Sequence, residues 1–330
     1  MTGRVRVGLG MTRLPFASGR ALWRWVDLCE RGGVDSLWQS DRLVSTEPFL
    51  EALTAVAALA GRTERLRFGM NAVVAGLRDP LLLAKQCATV DFLSGGRLLP
   101  VFGVGDVQAP EWRATGAAPA ERGRRADEVL ELVRRLWSED AVSYTGAFFR
   151  YESASIRPRP IQRPLPLWIG GSSEAAIRRT ARFGTGWIGG IETPAQIAAV
   201  VPRLRAACAA AGNPLDEDHI GALFPYRFGR LDDPVLGSDP AARLLARGAA
   251  PASDFFAVGD AQAVLRRIEE YRLAGAAKLV LFPIAEDEAD WMRQTQRLVD
   301  EVLPVVHRER GAERPGPAQA ISRRGPPSAP

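Results

Sequence analysis

The sequence predicts an α/β protein whose parallel strands close into a single (β/α)8 (TIM) barrel. Short β-branched runs alternate with amphipathic helical segments almost from end to end of the 330 residues. Eight strand-then-helix units in about 310 residues favour a closed barrel over an open doubly wound sheet. Two additions to the barrel are expected: a β-hairpin outside it, and an insertion between the seventh strand and its helix.

The first half of the chain carries clear helix-capping signals. Ser18 is placed to cap the first helix, which ends at Gly32-Gly33. Asp79-Pro80 puts a side-chain acceptor before a proline at the first helical position. Between the fourth strand and the next helix, the segment with Glu111-Trp112 is expected to be a loop. The predicted strands are residues 5–10, 34–38, 66–74 and 98–104, and the later helices are 48–60, 80–92 and 122–137.

The second half continues the pattern with two interruptions. Residues 142–151 alternate around Thr145-Gly146, which predicts the hairpin, and the Pro-rich residues 158–166 must be extended. Residues 229–256 are the predicted insertion. The barrel unit is expected to span 1–310, and the Pro/Arg-rich residues 311–330 to be a disordered tail. The remaining predicted strands are 167–169, 186–189, 220–228 and 278–283, with helices at 173–183 and 194–211 and from Asp260 and Ala289.

Composition limits the class of protein. Apolar residues make up 46% of the chain and charged residues 25%, which excludes wholesale disorder. The formal net charge is +5, but the basic residues are spread out and intermixed with acids, so no nucleic-acid partner is expected. The three cysteines lack metal-ligand spacing, and the apolar runs are too short to span a membrane. We therefore expect a soluble cytoplasmic protein with no metal site.

The carboxyl ends of the strands carry the candidate site, because a parallel barrel places its ligands there. Gly170-Gly171-Ser172-Ser173 follows the fifth barrel strand and opens a helix. Two glycines allow close approach of the backbone, and the free N–H groups and hydroxyls of a helix start favour an anion. A phosphate is the natural ligand. A glycine-rich turn with a serine N-cap and no ligand is the alternative.

Other strand ends carry polar groups. The amide of Asn71 needs a partner when buried, Asp106 follows the fourth strand, and Asp41-Arg42 follows the second, where a surface ion pair is the alternative. The only histidines, His219 and His307, lie away from the active face. Neither a Ser-His-Asp triad nor a His-based metal site can be assembled there. Such a barrel leaves the difficult chemistry to a cofactor.

Four segments resemble the bacterial luciferase-like superfamily of flavin and deazaflavin oxidoreductases. Their order and spacing extend the resemblance over about residues 4–307, with a weaker similarity at Val258-Gly259-Asp260-Ala261. The segments are 33–42 (GVDSLWQSDR), 79–97 joined to 102–105, 122–128 with the following Leu136-Trp137 and Tyr144-Thr145-Gly146, and 164–173 continuing to Trp187.

The resemblance implies a barrel that binds coenzyme F420 (8-hydroxy-5-deazaflavin) or, alternatively, reduced FMN. Deazaflavin members usually end the second strand with Ser-Asp-His, whereas this chain has Ser40-Asp41-Arg42. Arginine is no acid or base near neutral pH, although it binds anions. By position, the cofactor phosphate is expected on Gly170, Gly171, Ser172 and Ser173, and the ring near Gly10, Asn71 and Val104.

Three functions follow from this resemblance. The first is hydride transfer between F420 and a small organic substrate, in which Asp41, Asp106 or water supplies the proton and Arg42 steadies charge. The second is an FMNH2-dependent monooxygenase with a dry pocket and a separate flavin reductase. The third is a non-catalytic flavin-binding barrel. An exposed apolar insertion would favour a homodimer.

Overall fold

Eight parallel strands close into a barrel, as predicted. The computed structural model describes residues 5–238 and 252–312. The strands are β1 (Arg6–Met11), β2 (Ser36–Gln39), β3 (Arg67–Val74), β4 (Leu98–Gly103), β7 (Trp168–Gly170), β8 (Gly186–Ile188), β9 (Ile220–Phe228) and β11 (Lys278–Pro283). Their order is β9-β11-β1-β2-β3-β4-β7-β8, and β8 pairs with β9 to close the ring.

The barrel wall separates two apolar layers, because successive side chains of a strand point to opposite faces. In β2, Leu37 packs outward against the helices, while Trp38 points into the barrel. The inner layer fills the barrel with bulky side chains, and the outer layer forms the larger core beneath the helices. The buried inner side chains are Trp38, Val101, Trp168, Ile188, Leu223, Val280 and Phe282.

Helices cover the barrel and begin where the capping signals predict. Ser18 accepts a hydrogen bond from the Ala21 N–H, and Asp79 accepts one from the Leu82 N–H. Gly95, with φ of 66°, ends the third helix in the left-handed region that favours glycine. The longer helices are Gly19–Arg31, Ala52–Arg62, Pro80–Ser94, Arg122–Ser138, Glu174–Phe183, Pro194–Ala210, Ala261–Leu273, Glu288–Arg297 and Leu303–Ala312; a π-helical turn, Leu298–Val302, joins the last two.

Three predictions of local structure were wrong. The second helix begins at Ala52, with Glu51 as its N-cap, rather than at residue 48. Pro110–Thr115 is a short helix rather than a loop, and Pro110 at its first position was the missed signal. The last helix continues to Ala312, two residues into the expected tail.

Both predicted additions are present. Strands β5 (Val142–Thr145) and β6 (Arg150–Ala154) form the antiparallel hairpin outside the barrel. The insertion follows β9, and its described parts hold the short helices Val235–Ser238 and Ala252–Phe255. It leads into β10 (Ala257–Gly259), a three-residue strand on β9 that was not predicted from the sequence. Residues 239–251 and 313–330 lie outside the described residues, and with them most of the predicted tail.

Paired charges close the amino end of the barrel. Lys278 is 3% exposed and contacts the carboxylate of Asp35. Burial raises the pKa of Asp35, but the charges of Lys278, Arg67 and Arg6 outweigh it, so this pKa lies below its ordinary value. Arg6 Nη2 also lies 2.8 Å from Asp218 Oδ2. These ion pairs give the amino end of the barrel a structural role.

Candidate active site

A cavity of about 640 Å³ opens at the carboxyl end of the barrel. We call it the carboxyl-end cavity. Seven of the ten residues predicted for the site line it, which brings together residues from four strand ends. They are Asp41, Arg42, Asn71, Val104, Asp106, Gly170 and Gly171.

Gly10 is not part of the cavity wall. A Cβ added at Gly10 would collide with the ring of Phe282, which lines the cavity in its place. The glycine of β1 therefore makes room for an inward-pointing aromatic ring. The contact predicted between Gly10 and a cofactor ring stays a prediction, and Phe282 occupies that part of the cavity wall.

Small residues form a flat patch on the cavity wall. A Cβ added at Gly103 or at Gly170 would lie 3.4 Å from Cβ of Ala72, so these three residues leave a shallow surface between β3, β4 and β7. We call this surface the flat patch. Val104 and Asn71 border the cavity beside it. A planar ring fits against such a surface, because no side chain longer than a methyl group stands on it.

Asp41 is held in a buried ion pair. Its two carboxylate oxygens accept hydrogen bonds of 2.7 Å from the two terminal nitrogens of Arg78, and Oδ2 also accepts one from the Val74 N–H at 3.0 Å. The side chain is 1% exposed. Burial lowers the pKa of Arg78, but Asp41 and Glu51 raise it above its ordinary value. The geometry suits positioning of β3 against the end of β2 better than the predicted supply of protons.

Arg42 lies at the mouth of the cavity beside a buried acid. Its Nη1 atom is 3.6 Å from Oε1 of Glu111, and the arginine side chain is 47% exposed whereas that of Glu111 is 5% exposed. Oε2 of Glu111 is buried and makes no hydrogen bond within the described parts of the chain. Sequence reasoning gave Glu111 no role, because its helix was taken for a loop. The Ala109-Pro110 helix start was the signal that would have placed it.

Asp106 shapes the loop after β4. Its Oδ1 atom accepts the Gln108 N–H at 3.0 Å, and its carbonyl oxygen accepts Nε1–H of Trp112 at 2.7 Å. Trp112 is buried and lines the cavity. The carboxylate of Asp106 is thus partly engaged in an exposed turn.

The corner after β7 has one hydroxyl that the backbone does not use. We call Gly170–Ser173 the β7 corner. Ser173 Oγ accepts the Ala176 N–H as the N-cap, and the Gly171 N–H donates to the Ile188 carbonyl. The fold therefore uses both of these groups. Ser172 Oγ is buried without a hydrogen bond of ordinary geometry in the described structure, so it is the side chain of this corner that is best placed to serve a ligand.

Glu192 is a second acid that sequence reasoning missed. It follows Gly189 and Gly190, which line the cavity at the end of β8. A Cβ added at Gly189 would lie 2.8 Å from Glu192 Oε2, a buried oxygen without a hydrogen bond of ordinary geometry. Burial raises the pKa of Glu192, and the Ser172 hydroxyl and the Gly190 N–H offset part of that rise. The carboxyl group therefore lies between the end of β8 and the β7 corner.

Comparison with known proteins assigns the family. The family model for luciferase-like monooxygenases matches residues 2–230. The chain belongs to this family. The predicted resemblance and the predicted barrel are both confirmed.

Relatives within the luciferase-like family use two kinds of cofactor. The chain is 35% identical to the FMNH2-dependent dimethylsulfone monooxygenase of Pseudomonas putida over 167 residues, 49% of this chain and 46% of that one. It is 28% identical to the F420-dependent glucose-6-phosphate dehydrogenase of Microbacterium testaceum over 319 residues, 85% of this chain and 91% of that one. The chain spans about half the length of several curated relatives that it matches. These names confirm the prediction of an enzyme of the flavin- or deazaflavin-dependent class.

A solved structure supports the luciferase-like fold. The monooxygenase RslO1 of Streptomyces bottropensis superposes with a TM-score of 0.78 at 24% identity, and the match covers 91% of this chain and 99% of that one. Within residues 5–238 and 252–312, no group of three His, Cys, Asp or Glu side chains is arranged to hold a metal ion. Over the same ranges, every helix is too short or too polar to cross a lipid bilayer.

Proposed function

We propose that this luciferase-like chain is an F420-dependent oxidoreductase that transfers a hydride to or from a small organic substrate in the carboxyl-end cavity. The observation that carries this proposal is the flat patch of Ala72, Gly103 and Gly170, together with the Ser172 hydroxyl, which makes no hydrogen bond of ordinary geometry in the described structure. A planar ring fits the patch, and a phosphate fits the β7 corner. The similarity to an F420-dependent dehydrogenase over most of both chains favours the deazaflavin.

The chain's own residues shape the cavity, bind anionic groups and supply the proton. Bound F420 supplies two-electron hydride chemistry, which the amino acids of the site lack. Asp41 holds Arg78 and so fixes the β3 end of the cavity. Arg42, half exposed at the mouth, binds an anionic group of the substrate or of the cofactor tail.

Glu111 is better placed than Asp41 to hold the proton of the reaction. One of its oxygens is buried at the cavity without a hydrogen bond in the described structure, whereas both oxygens of Asp41 are bound by Arg78. A general acid needs an atom that is free to meet the reacting group. Asp106 and water remain the proton sources proposed from the sequence.

An FMNH2-dependent monooxygenase is the second candidate. The 35% identity to the dimethylsulfone monooxygenase favours it. The buried Trp112 and the apolar Leu77 and Ile191 on the cavity wall would exclude water, as oxygen chemistry requires. Such a reaction also requires a separate flavin reductase as a partner.

Cofactor titration separates the two candidates. For the first function we expect submicromolar F420 binding and negligible affinity for FMNH2, measured anaerobically by fluorescence. The reverse preference, with oxygen uptake when a flavin reductase is added, would establish the second function instead. Failure of both cofactors to bind would contradict both.

A further inference from the structure

Two buried oxygens lie at the boundary of the β7 corner and β8. Ser172 Oγ and Glu192 Oε2 each lack a hydrogen bond of ordinary geometry within the residues that the structure describes. The Ser172 hydroxyl is near enough to the carboxyl group to lower the pKa of Glu192. Gly171 and Ile191, which precede Ser172 and Glu192 in the chain, both line the carboxyl-end cavity. Buried polar groups without well-formed hydrogen bonds are costly, so this pair is suited to a ligand that offers better partners.

The charges around Glu192 do not neutralise it. Among the described residues, the groups that shift its pKa are the Ser172 hydroxyl and the Gly190 N–H, besides burial itself, and neither is charged. Tyr271, from helix Ala261–Leu273, donates its hydroxyl to the Glu192 carbonyl oxygen at 2.6 Å. In that helix, the charge of Arg267 lowers the pKa of Tyr271 and the charge of Glu270 raises it.

A second charge pair involves the helix that begins at the β7 corner. Glu174 opens the helix of the β7 corner and is paired with Arg203 of helix Pro194–Ala210, and both side chains are more than half exposed. Arg203 is therefore already engaged with a carboxylate. A phosphate bound at Ser172 would meet the carboxyl group of Glu192.

We propose that Glu192 carries a proton in the cofactor complex and donates it in a hydrogen bond to the cofactor phosphate beside Ser172, so that binding takes up a proton. This inference rests on the proposed function, because it requires a phosphate in the β7 corner. An ionised carboxylate would repel the phosphate, whereas a carboxylic acid is a donor. Burial raises the pKa of Glu192 and so lowers the cost of protonating it near neutral pH.

The pH dependence of binding follows from linkage. Because the complex binds the protonated acid, affinity is highest below the pKa of Glu192 in the free protein. Above that pKa, the dissociation constant should rise by about tenfold for each pH unit. In Glu192→Gln the amide donates a hydrogen bond without taking up a proton. The cofactor affinity of this variant should therefore lack the pH dependence that Glu192 causes, and at high pH it should exceed the affinity of the unmodified chain.

Isothermal titration calorimetry in Tris and in HEPES measures the proton uptake directly. Near pH 8, free FMN is a dianion, since its second phosphate pKa is about 6, and the F420 phosphodiester carries no proton. For the unmodified chain we expect an uptake of about one proton per bound FMN or F420. For Glu192→Gln we expect about none, and for riboflavin, which lacks the phosphate, about none in either protein.

Glu174→Gln is the matched control, because it removes a neighbouring carboxylate that is paired with Arg203; it should keep the uptake of the unmodified chain. Ser172→Ala should weaken FMN and F420 binding while keeping the uptake, which covers the case of a poorly folded Glu192→Gln. Uptake that persists in Glu192→Gln, or cofactor binding without uptake in the unmodified chain, would overturn the inference alone. Absence of binding by both cofactors would overturn the proposed function and this inference with it.

Discussion

The two ends of the barrel differ in how completely their buried charged groups are paired. At the amino end, Lys278 is paired with Asp35, and Arg6 is paired with Asp218. At the carboxyl end, Asp41 is likewise paired with Arg78, but among the described residues Glu111 Oε2 has no hydrogen bond and Glu192 Oε2 has none of ordinary geometry. Because an unpaired buried polar group lowers stability, the difference indicates that the amino end was shaped for folding and the carboxyl end for a ligand. Substitutions at the amino end should change stability, and those at the carboxyl end should change binding.

Lys278→Met tests the amino end and should have the largest effect. It leaves the Asp35 carboxylate buried without its ammonium partner, which should lower the free energy of unfolding by about 3–5 kcal/mol. Urea denaturation followed by circular dichroism measures this change. The double variant Asp35→Leu/Lys278→Met removes both charges and should recover most of the loss. A single variant as stable as the unmodified chain would show that the pair does not hold this end together.

Ser172→Asp tests the β7 corner. The new carboxylate would lie beside Glu192 and at the position proposed for the phosphate, so affinity for the cofactor should fall by ~10-fold or more. Fluorescence titration measures this loss, and Ser172→Ala, which removes only the hydroxyl, should lose less. A thermal melt shows whether the barrel is intact. Unchanged affinity in Ser172→Asp would place the phosphate elsewhere.

Gly170→Ala tests the flat patch. Its new methyl group would lie 3.4 Å from Cβ of Ala72, an ordinary contact, so the barrel should fold with little change in melting temperature. The methyl group would, however, stand where the ring is proposed to lie, and about tenfold weaker cofactor binding is expected. Full affinity in a folded Gly170→Ala protein would show that the ring does not bind against the flat patch.

Gly61→Ala is the matched glycine substitution away from the site, and its effect should be the smallest. Gly61 lies in helix Ala52–Arg62 with no atom within 4 Å of an added Cβ. Alanine should therefore stabilise the chain by about 0.5–1 kcal/mol in urea denaturation. Cofactor affinity should not change. A loss of affinity here would mean that a glycine substitution can weaken binding from outside the cavity.

The barrel was predictable from sequence because local signals specify its parts. The N-caps Ser18 and Asp79 accept the expected hydrogen bonds, and seven predicted site residues reach one cavity because parallel strand ends must converge. The partners of those residues were not predictable. The pairing of Asp41 with Arg78 joins positions 37 residues apart, and Glu192 meets Ser172 only because β7 and β8 are neighbours. Such contacts depend on tertiary register, which periodicity and capping signals do not encode.

A crystal structure of the chain with F420 or FMN would test the central claim most directly. The account predicts the cofactor phosphate within hydrogen-bonding distance of Ser172 Oγ and of the Glu192 carboxyl group, with the ring against Ala72, Gly103 and Gly170. A phosphate held elsewhere, or a ring that leaves this surface uncovered, would contradict it.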